Sequence, residues 1–362
     1  MPKRGENIRK RKDGRWEARI VTESGKLKSI YAQSYYEVKN KLKQSQDINT
    51  QKSAKNSFTF EEVCKNWIKE NEIKNKKSTI AKYTAICKKH LYPYFSQIKI
   101  NDIDRNKINS FILFKTHQGK LQSKTVYDIC AVLLQIIRYA VNQGYIQEFN
   151  RDVTMPTVQK KELEVLTLSE QEKLVKTIKR QITNENIGIL LSLYAGLRLG
   201  EICALQWKDI DFDTEIISIT KTMQRIAVEN SETKTVVIID TPKSQKSIRK
   251  IPIPYFLLRE LKKLSKHCSK ESYILTSSEN RYIEPRAYQY KFKKYLKDAQ
   301  IPNINFHALR HTFATRAIEQ GMDVKSLSEI LGHSTVNFTL ERYVHPSFNL
   351  KKQNIEKLAV CY

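Results

Sequence analysis

The stretch from Asn305 to Tyr343 reads N-F-H-A-L-R-H-T-F-A-T at residues 305–315, L-G-H-S at 331–334 and L-E-R-Y-V-H at 340–345. Residues three apart share a face of a helix, so His307 and Arg310 can project together. An imidazole beside a planar, permanently charged guanidinium suits two oxygens of one anion. The stretch therefore predicts an anion site built on a helix.

Two turn signals divide this stretch into three predicted helices. Gly321 and Asp323 are typical of a helix stop followed by a new N-cap. The second helix carries an apolar stripe and is predicted to end at Gly332. His333 would therefore leave a helix end at a sharp turn.

The third predicted helix places a tyrosine. Ser334 is a suitable N-cap, and Val336, Leu340 and Tyr343 recur at i, i+4 and i+7. Residues at this spacing share one face, so Tyr343 is predicted to point in the same direction as the apolar side chains. Its hydroxyl would then face inward rather than toward solvent.

These motifs closely resemble those of the tyrosine recombinases, the integrases of phages and conjugative transposons. The resemblance rests on H-x-L-R-H-T-F-A-T, on L-G-H, and on a tyrosine ten residues beyond that histidine. It extends to G-L-R-L-G-E-I-C-A-L-Q-W-K-D-I-D (Gly196 to Asp211) and T-P-K-S-Q-K-S-I-R-K-I-P-I (Thr241 to Ile253), in the order the family uses. Three ordered motifs are much harder to meet by chance than one.

The resemblance implies a catalytic set with Tyr343 as the nucleophile; its other members are Arg198, Lys243, His307, Arg310 and His333. Attack on a phosphodiester builds negative charge on the non-bridging oxygens, which preorganised cations must meet when no metal is present. A phosphotyrosyl ester keeps the energy of the broken DNA bond, so a DNA hydroxyl can reverse the step without ATP. No metal and no cofactor are expected.

Some of these roles have rivals or partners in the sequence. Lys243 follows Pro242 at a predicted hairpin tip, and the resemblance makes it the general acid that protonates the departing 5′ hydroxyl. Lys246 and Lys250 are within reach of the same loop, and charge alone does not exclude them. Glu201 is predicted to share the helical face of Arg198 and to hold that side chain in place without contacting the phosphate itself.

The histidines have more than one possible use. His307 and His333 can each donate to phosphate oxygens, and His307 could also take the nucleophile's proton. His307 and His311 are spaced i, i+4 as helical zinc ligands are, but no glutamate follows in the H-E-x-x-H manner and no third ligand is evident. His311 is therefore predicted to pack or hydrogen-bond within the core.

The composition favours a partner with many negative charges. The 362 residues include 64 Lys and Arg against 38 Asp and Glu, a net charge of +26. Such an excess is the electrostatic footprint of a nucleic-acid-binding protein, and the 40% hydrophobic content is ordinary for a globular chain. Six scattered cysteines without a C-x-x-C pair predict reduced thiols. With no signal peptide and no apolar stretch long enough to span a bilayer, a cytoplasmic location is expected.

The first 50 residues predict a small DNA-binding module. Asp13-Gly14 and Ser24-Gly25 are turn signals between three strands, the third near Leu27 to Ala32, and a capping box at Ser34 and Glu37 opens a helix. One sheet face is predicted to be basic, which suits a major groove but is equally compatible with a solvated surface. The resemblance favours binding of arm-type DNA sites by Arg9, Lys10, Arg11, Lys12, Arg15 and Arg19.

Two further domains are predicted beyond polar linkers. Residues 57–150 show four helical patterns and no convincing strand, with basic residues such as Lys76 and Lys77 available for phosphate contacts. Residues 162–362 mix helices with strands at Ile216 to Thr222, Val236 to Thr241 and Ile248 to Ile253, expected to form one small antiparallel sheet. An amphipathic tail helix is predicted to dock on its own domain or on a neighbour.

Together these features predict a multidomain, mainly α-helical protein with small antiparallel sheets. By resemblance it is a site-specific recombinase that integrates and excises a mobile element through a 3′-phosphotyrosyl intermediate. Its expected partners are double-stranded attachment sites, a homo-tetramer on two sites, and optional DNA-bending or excision factors, with no membrane. The alternatives are a type IB topoisomerase, which the arm module disfavours, and a non-cleaving DNA-binding regulator, which leaves the set of Arg198, Arg310 and Tyr343 unexplained.

Overall fold

The computed structural model describes residues 8–21, 27–43, 58–146, 153–159, 162–228, 234–242, 244–343 and 355–356. The chain divides into two compact units, residues 1–75 with 82–159 and residues 76–81 with 160–362. Most of the predicted linkers and nearly all of the predicted tail helix lie outside the described residues. No helix in the described ranges has the length and apolarity needed to cross a membrane.

The N-terminal module is a three-stranded antiparallel sheet followed by a helix. Its elements are β1 (Ile8–Lys10), β2 (Trp16–Val21), β3 (Leu27–Ala32) and α1 (residues 35–43). Gly14 has a φ of 87° at the first turn, and the Ser34 hydroxyl accepts a hydrogen bond from the Glu37 amide at 3.2 Å. Ala18 and Val38 are fully buried between sheet and helix. The predicted three strands and helix are confirmed, while the second turn lies in residues that are not described.

The next part of the chain is helical, as predicted. Its helices are α2 (Phe60–Lys74), α3 (Lys77–Ile86), α4 (Tyr92–Phe95), α5 (Arg105–Leu113) and α6 (Ser123–Asn142). Short π-helical segments at Cys87–Leu91 and Phe114–Gln118 continue α3 into α4 and extend α5. Thr59 and Glu62 form a reciprocal capping box that fixes the start of α2. Aromatic and aliphatic side chains from α2, α5 and α6 fill one core.

The C-terminal part carries eight more helices among its described residues. They are α7 (Leu168–Lys179), α8 (Ile187–Ala195), α9 (Leu199–Ala204), α10 (Tyr255–Ser265), α11 (Pro285–Asp298), α12 (His307–Glu319), α13 (Val324–Leu331) and α14 (Val336–Tyr343). Almost every residue of α8 is buried, and α12 packs directly against it. The helix α12 carries two of the predicted catalytic residues, His307 and Arg310, and Arg198 follows the turn that ends α8.

The strands of this part form two small sheets, so the prediction of a single sheet is wrong. One sheet joins β4 (Ile210–Asp211), β5 (Ile216–Ile219) and β8 (Arg249–Pro252), and the other pairs β6 (Thr222–Ala227) with β7 (Thr235–Asp240). β6 was not predicted because only Met223 among its residues is buried, which leaves a weak alternation signal. The segment between β7 and β8 therefore connects two sheets and is not the tip of a hairpin.

The last described helix, α14, differs from its prediction in two respects. The Thr335 hydroxyl, rather than Ser334, accepts a hydrogen bond from the Phe338 amide at 3.4 Å. Its buried residues are Thr339 and Tyr343, whereas Val336 and Leu340 are 38% and 41% exposed. The predicted inward orientation of Tyr343 is confirmed, but the helix is turned so that a threonine, not the apolar stripe, shares that face.

Candidate active site

Two left-handed glycines create the turns around which the site is built. Gly196 ends α8 with a φ of 67°, and Gly332 ends α13 with a φ of 63°. A side chain is disfavoured at both because of this backbone conformation, and a Cβ on Gly196 would also lie 2.7 Å from the ring of Phe313. Both turns bring main-chain carbonyl oxygens to the same place in the fold.

The two predicted catalytic arginines bind these carbonyl oxygens. The Arg198 guanidinium donates to the oxygen of Gly332 at 3.2 Å. Arg310 donates to the oxygens of Gly196 at 2.7 Å and Leu331 at 2.5 Å. Arg198 thus reaches from the first turn to the second, Arg310 on α12 binds both, and the two guanidinium groups lie close enough for their charges to interact.

Arg310 is a buried cation. Only 1% of the residue is exposed. Burial and repulsion by Arg198 lower the pKa of Arg310 to about 9, so the guanidinium remains charged at neutral pH. A guanidinium has five N–H donors, and those of Arg310 that do not bind the two carbonyl oxygens can serve an anion.

Glu201 is the carboxylate that faces these arginines. It accepts hydrogen bonds from the main-chain amide of Arg198 at 2.9 Å and from its guanidinium at 2.7 Å. Arg249 on β8 binds the same carboxylate through two nitrogens, each at 2.9 Å. Burial raises the pKa of Glu201, but the hydrogen bonds and charge of Arg249 outweigh it and hold the pKa at about 2. Glu201 thus holds Arg198 through both its main chain and its side chain.

Arg249 was missed by the sequence reasoning. It is buried at 9% exposure, and it also donates to the main-chain oxygen of Ile330 at the end of α13. The sequence did contain a pattern that points to its burial. Arg249, Ile251 and Ile253 are spaced two apart and share one face of the strand, and both isoleucines are buried. A charged residue at such a position requires a partner, which here is Glu201.

The predicted phosphate-binding histidines lie at two helix boundaries. His307 is the first residue of α12 and keeps an exposed surface, while burial of the rest of its ring and the charge of Arg310 lower its pKa to about 4. The Nδ1 atom of His333 lies 2.8 Å from the Thr339 hydroxyl. Burial, followed by repulsion from Arg310, lowers the pKa of His333 to about 3. Both rings are therefore neutral at pH 7 in the DNA-free protein.

Tyr343 lies among these groups. It is 6% exposed, and its ring is parallel to that of His333 within 3°, with the centroids 6.2 Å apart. Burial raises the pKa of its hydroxyl, although the charges of Arg310 and Arg342 act in the opposite direction. The Tyr343 oxygen lies 2.7 Å from Nδ1 of His311. The prediction that His311 hydrogen-bonds within the core is matched, but its partner, the predicted nucleophile, was not foreseen.

The three candidate lysines have different surroundings. Lys243 lies outside the described residues. The ammonium of Lys246 donates to the main-chain oxygen of Ser334 at 2.8 Å, next to His333. Lys250 is exposed on the face of β8 opposite Arg249, where its charge acts on Asp211. The strand alternation thus places Lys250 away from the arginine cluster.

The predicted DNA-binding arginines of the N-terminal module carry acidic partners. Arg9 and Arg19 hydrogen-bond Glu17 at 2.9 Å and 3.2 Å, and this carboxylate is only 2% exposed at the centre of the sheet face. Arg15 binds Asp13 at 2.8 Å. The predicted basic sheet face therefore also carries a buried carboxylate, which pairs with two of its arginines.

The remaining predicted DNA-binding residues, in the N-terminal module and at positions 76 and 77, are either exposed or engaged in contacts within the protein. Arg11 lies against the ring of Tyr31, with 5.4 Å from its guanidinium carbon to the ring centroid. Lys10, Lys12 and Lys77 are exposed. Lys76 instead donates to the Thr241 hydroxyl at 2.8 Å and pairs with Asp240 at 3.3 Å, so its charge is engaged within the second unit.

Comparison with known families gives the class of protein. The model described as "Phage integrase family" matches residues 164–349, which is half of the chain, and "Phage integrase, N-terminal SAM-like domain" matches residues 59–115. The residues of the candidate site all lie within the first of these matches. The chain belongs to the phage integrase family of tyrosine recombinases.

Individual relatives agree with this membership. A "Tyrosine recombinase XerC-like" protein of Caldanaerobacter subterraneus subsp. tengcongensis is 30% identical over 284 residues, 72% of each chain. The ICEBs1 integrase of Bacillus subtilis is 27% identical over 316 residues, 83% of each chain. The transposase from transposon Tn916 of Enterococcus faecalis is 31% identical over 216 residues, 53% of this chain and 52% of that protein. These relatives do not favour the topoisomerase or regulator alternatives.

Solved structures share the fold. The Tn1549 transposon integrase in complex with transposon right end DNA has a TM-score of 0.69 at 22% identity, covering 83% of this chain and all of that chain. A lambda integrase dimer bound to a COC′ core site has a TM-score of 0.60 at 17% identity, covering 95% and 96%. The mixed helical fold with small antiparallel sheets is therefore that of the integrases.

Proposed function

We propose that this integrase cuts and rejoins double-stranded DNA at attachment sites through a 3′-phosphotyrosyl intermediate, and so integrates and excises a mobile element. The observation that carries the proposal is the convergence of Arg198 and Arg310 on the two glycine turns, with Tyr343 buried beside them. Two arginines that served only as surface charge would not need to lie beside a buried tyrosine, whereas cleavage by a tyrosine requires both groups at the same phosphate.

The electrostatics favour an anion at this position. Arg198, Arg249 and Arg310 lie close enough for their charges to interact, and Glu201 is the carboxylate that faces them. Burial and repulsion lower the pKa of Arg310, and a bound phosphate offsets both effects because it supplies negative charge and hydrogen-bond acceptors. The same cations stabilise the additional charge of the transition state without reorganising.

In the proposed cleavage step, the Tyr343 oxygen attacks the scissile phosphorus, and the proton of its hydroxyl passes to His307, whose basicity rises once the negatively charged phosphate is bound. A bond forms between phosphorus and this oxygen, the bond from phosphorus to the 5′ oxygen breaks, and the leaving oxygen takes a proton from Lys243. Arg198 and Arg310 bind the non-bridging oxygens, and the neutral rings of His307 and His333 donate to them. Rejoining is the reverse, with a 5′ hydroxyl of the partner strand as nucleophile and Tyr343 as the leaving group.

The proposal includes the assembly and its domains. Residues 1–50 bind arm-type DNA, residues 57–150 bind the core site with residues such as Lys77, and residues 162–362 carry out catalysis. Four copies act on two DNA sites, with accessory bending or excision factors as further partners. The reaction uses neither a metal ion nor ATP, since arginines and a lysine supply the positive charge that a Mg²⁺ would bring.

A covalent-trapping assay tests this function. The nicked substrate loses its short 5′ fragment after cleavage, so that the protein stays attached to DNA, and EDTA is present throughout. The wild-type protein is expected to accumulate covalent product, whereas Tyr343→Phe binds the DNA and accumulates none. Covalent product with the Phe variant would assign the nucleophile elsewhere, and activity that requires an added divalent ion would contradict the metal-free mechanism.

A further inference from the structure

The hydroxyl of Tyr343 is held by a histidine to which the proposed mechanism gives no role. The distance from the Tyr343 oxygen to Nδ1 of His311 is 2.7 Å. Both residues are buried, with His311 7% and Tyr343 6% exposed. They belong to α12 and α14, which pack against each other. The bond thus joins the helix that carries Arg310 to the helix that carries the nucleophile.

The contact fixes the tyrosine from two sides. The ring of His311 lies 5.7 Å from that of Tyr343, and the parallel ring of His333 lies on another side at 6.2 Å. His311 itself packs edge-on against His307, with the centroids 4.7 Å apart. Because His311 directly follows Arg310 on α12, any shift of this histidine would move the nucleophile relative to the phosphate-binding arginine.

The direction of the hydrogen bond follows from the protonation of its partners. Burial and the neighbouring His307 lower the pKa of His311 to about 3, and burial raises the pKa of Tyr343. At neutral pH the phenol therefore carries its proton and His311 is neutral, and in the His311 tautomer protonated at Nε2 the phenol donates to Nδ1.

We propose that His311 is a positioning residue, whose Nδ1 holds the Tyr343 hydroxyl in the orientation from which it attacks the phosphate bound by Arg198 and Arg310. The inference rests on the proposed function and deepens it. Oriented reactants gain rate because less motion must be frozen in the transition state, so loss of one orienting bond slows chemistry without weakening DNA binding. His311 is not assigned the proton of Tyr343, because a weakly basic ring is a poor acceptor from a buried phenol.

Three substitutions separate positioning from other roles. His311→Asn keeps a hydrogen-bond acceptor near the place of Nδ1, but its amide does not take a proton near neutral pH. His311→Phe keeps a ring without the acceptor. Thr312→Val is a matched control on the same helix, because the Thr312 hydroxyl is buried and binds the Leu166 amide at 2.9 Å and the Ala308 oxygen at 2.8 Å, away from Tyr343.

Cleavage of the trapping substrate is measured in single turnover at saturating DNA, together with the DNA dissociation constant. His311→Phe is expected to slow cleavage about 10- to 100-fold, the worth of a buried hydrogen bond, with an unchanged dissociation constant. His311→Asn is expected to stay within about threefold of wild type and to keep the wild-type dependence of rate on pH, because an orienting acceptor is all that is required. Thr312→Val is expected to lower the melting temperature without a selective loss of cleavage.

Two results would overturn the proposal. Wild-type cleavage by His311→Phe would mean that the hydrogen bond plays no part in the reaction. Cleavage by His311→Asn as slow as by the Phe variant, with the loss of a titration seen in wild type, would make His311 a proton acceptor instead. If the Phe variant does not fold, His311→Ala replaces it in the comparison with Asn. Failure of the proposed function itself is recognised separately, by covalent product with Tyr343→Phe.

Discussion

At the scale of single residues, the site depends on one buried carboxylate that serves two arginines. Glu201 and Arg249 have side chains that are 2% and 5% exposed, and Arg198 is the more open partner at 32%. A buried ion pair adds little net stability over apolar residues of the same size, because desolvation offsets the attraction. Its benefit here is geometric, since Glu201 fixes Arg198 by its main chain and its side chain together.

Removing one partner of this pair has a definite expected cost. Arg249→Ala leaves the Glu201 carboxylate buried without its bidentate partner, which is expected to lower the free energy of unfolding by about 3–5 kcal/mol. Arg249→Lys keeps the charge but not the planar fork, so an intermediate loss is expected. Urea denaturation of both variants measures the difference. Unchanged stability of the Ala variant would show that Glu201 finds another partner or takes up a proton.

At the scale of elements, the sequence predicted helices with clear caps well. The end of α12 and both ends of α13 follow from Gly321, Asp323 and Gly332, because a left-handed glycine and an accepting carboxylate act locally. The burial of α14 was predicted less well, because the buried Thr339 hydroxyl binds the ring of His333, a polar contact that the apolar pattern does not reveal. The burial of Arg249 and the bond from Tyr343 to His311 depend on partners that are far apart in the chain.

The connection between β7 and β8 carries two lysines that are candidates for the general acid. Lys250 faces away from the arginine cluster, which leaves Lys243 and Lys246 as candidates for the general acid, and Lys246 is bound to the Ser334 oxygen. A 5′-bridging sulfur leaves readily as a thiolate and needs no acid, because thiols ionise near pH 8.5. Lys243→Ala is expected to cleave normal DNA about 10²- to 10⁴-fold more slowly and to recover most of this rate on a 5′-phosphorothiolate.

The arginines provide the control for this experiment. Arg198→Ala and Arg310→Ala are expected to remain slow on both substrates, since they stabilise charge on oxygens that the sulfur does not replace. Single-turnover rates on paired substrates give the ratio for each variant. If Lys246→Ala is rescued by sulfur while Lys243→Ala is not, the acid is Lys246, and its contact with Ser334 must open in the DNA complex.

At the scale of the whole molecule, the described residues of the N-terminal module have a hydrophobic cluster of their own. It is formed by Ile8, Ala18, Ala32 and Val38, separate from the core of α2 to α6 and from the core of the catalytic part. A module with its own core can be lost without removing buried contacts from the others. The first 56 residues carry 15 basic against 6 acidic side chains, and we expect this excess to give the module affinity for DNA.

Deletion of residues 1–56 is therefore expected to abolish binding to arm-type sites and to leave binding and cleavage of the core site. Footprints on separate arm-type sites at the element ends should disappear, because the basic sheet is gone. Covalent trapping on a core site should continue, since Arg198, Arg310 and Tyr343 lie in the other unit of the chain. The full-length Tyr343→Phe protein is the matched control, with arm footprints and no trapping. If the truncated protein still protects the arm sites, arm binding belongs to the helical or catalytic part. If it no longer forms covalent product on core DNA, the module also supports catalysis.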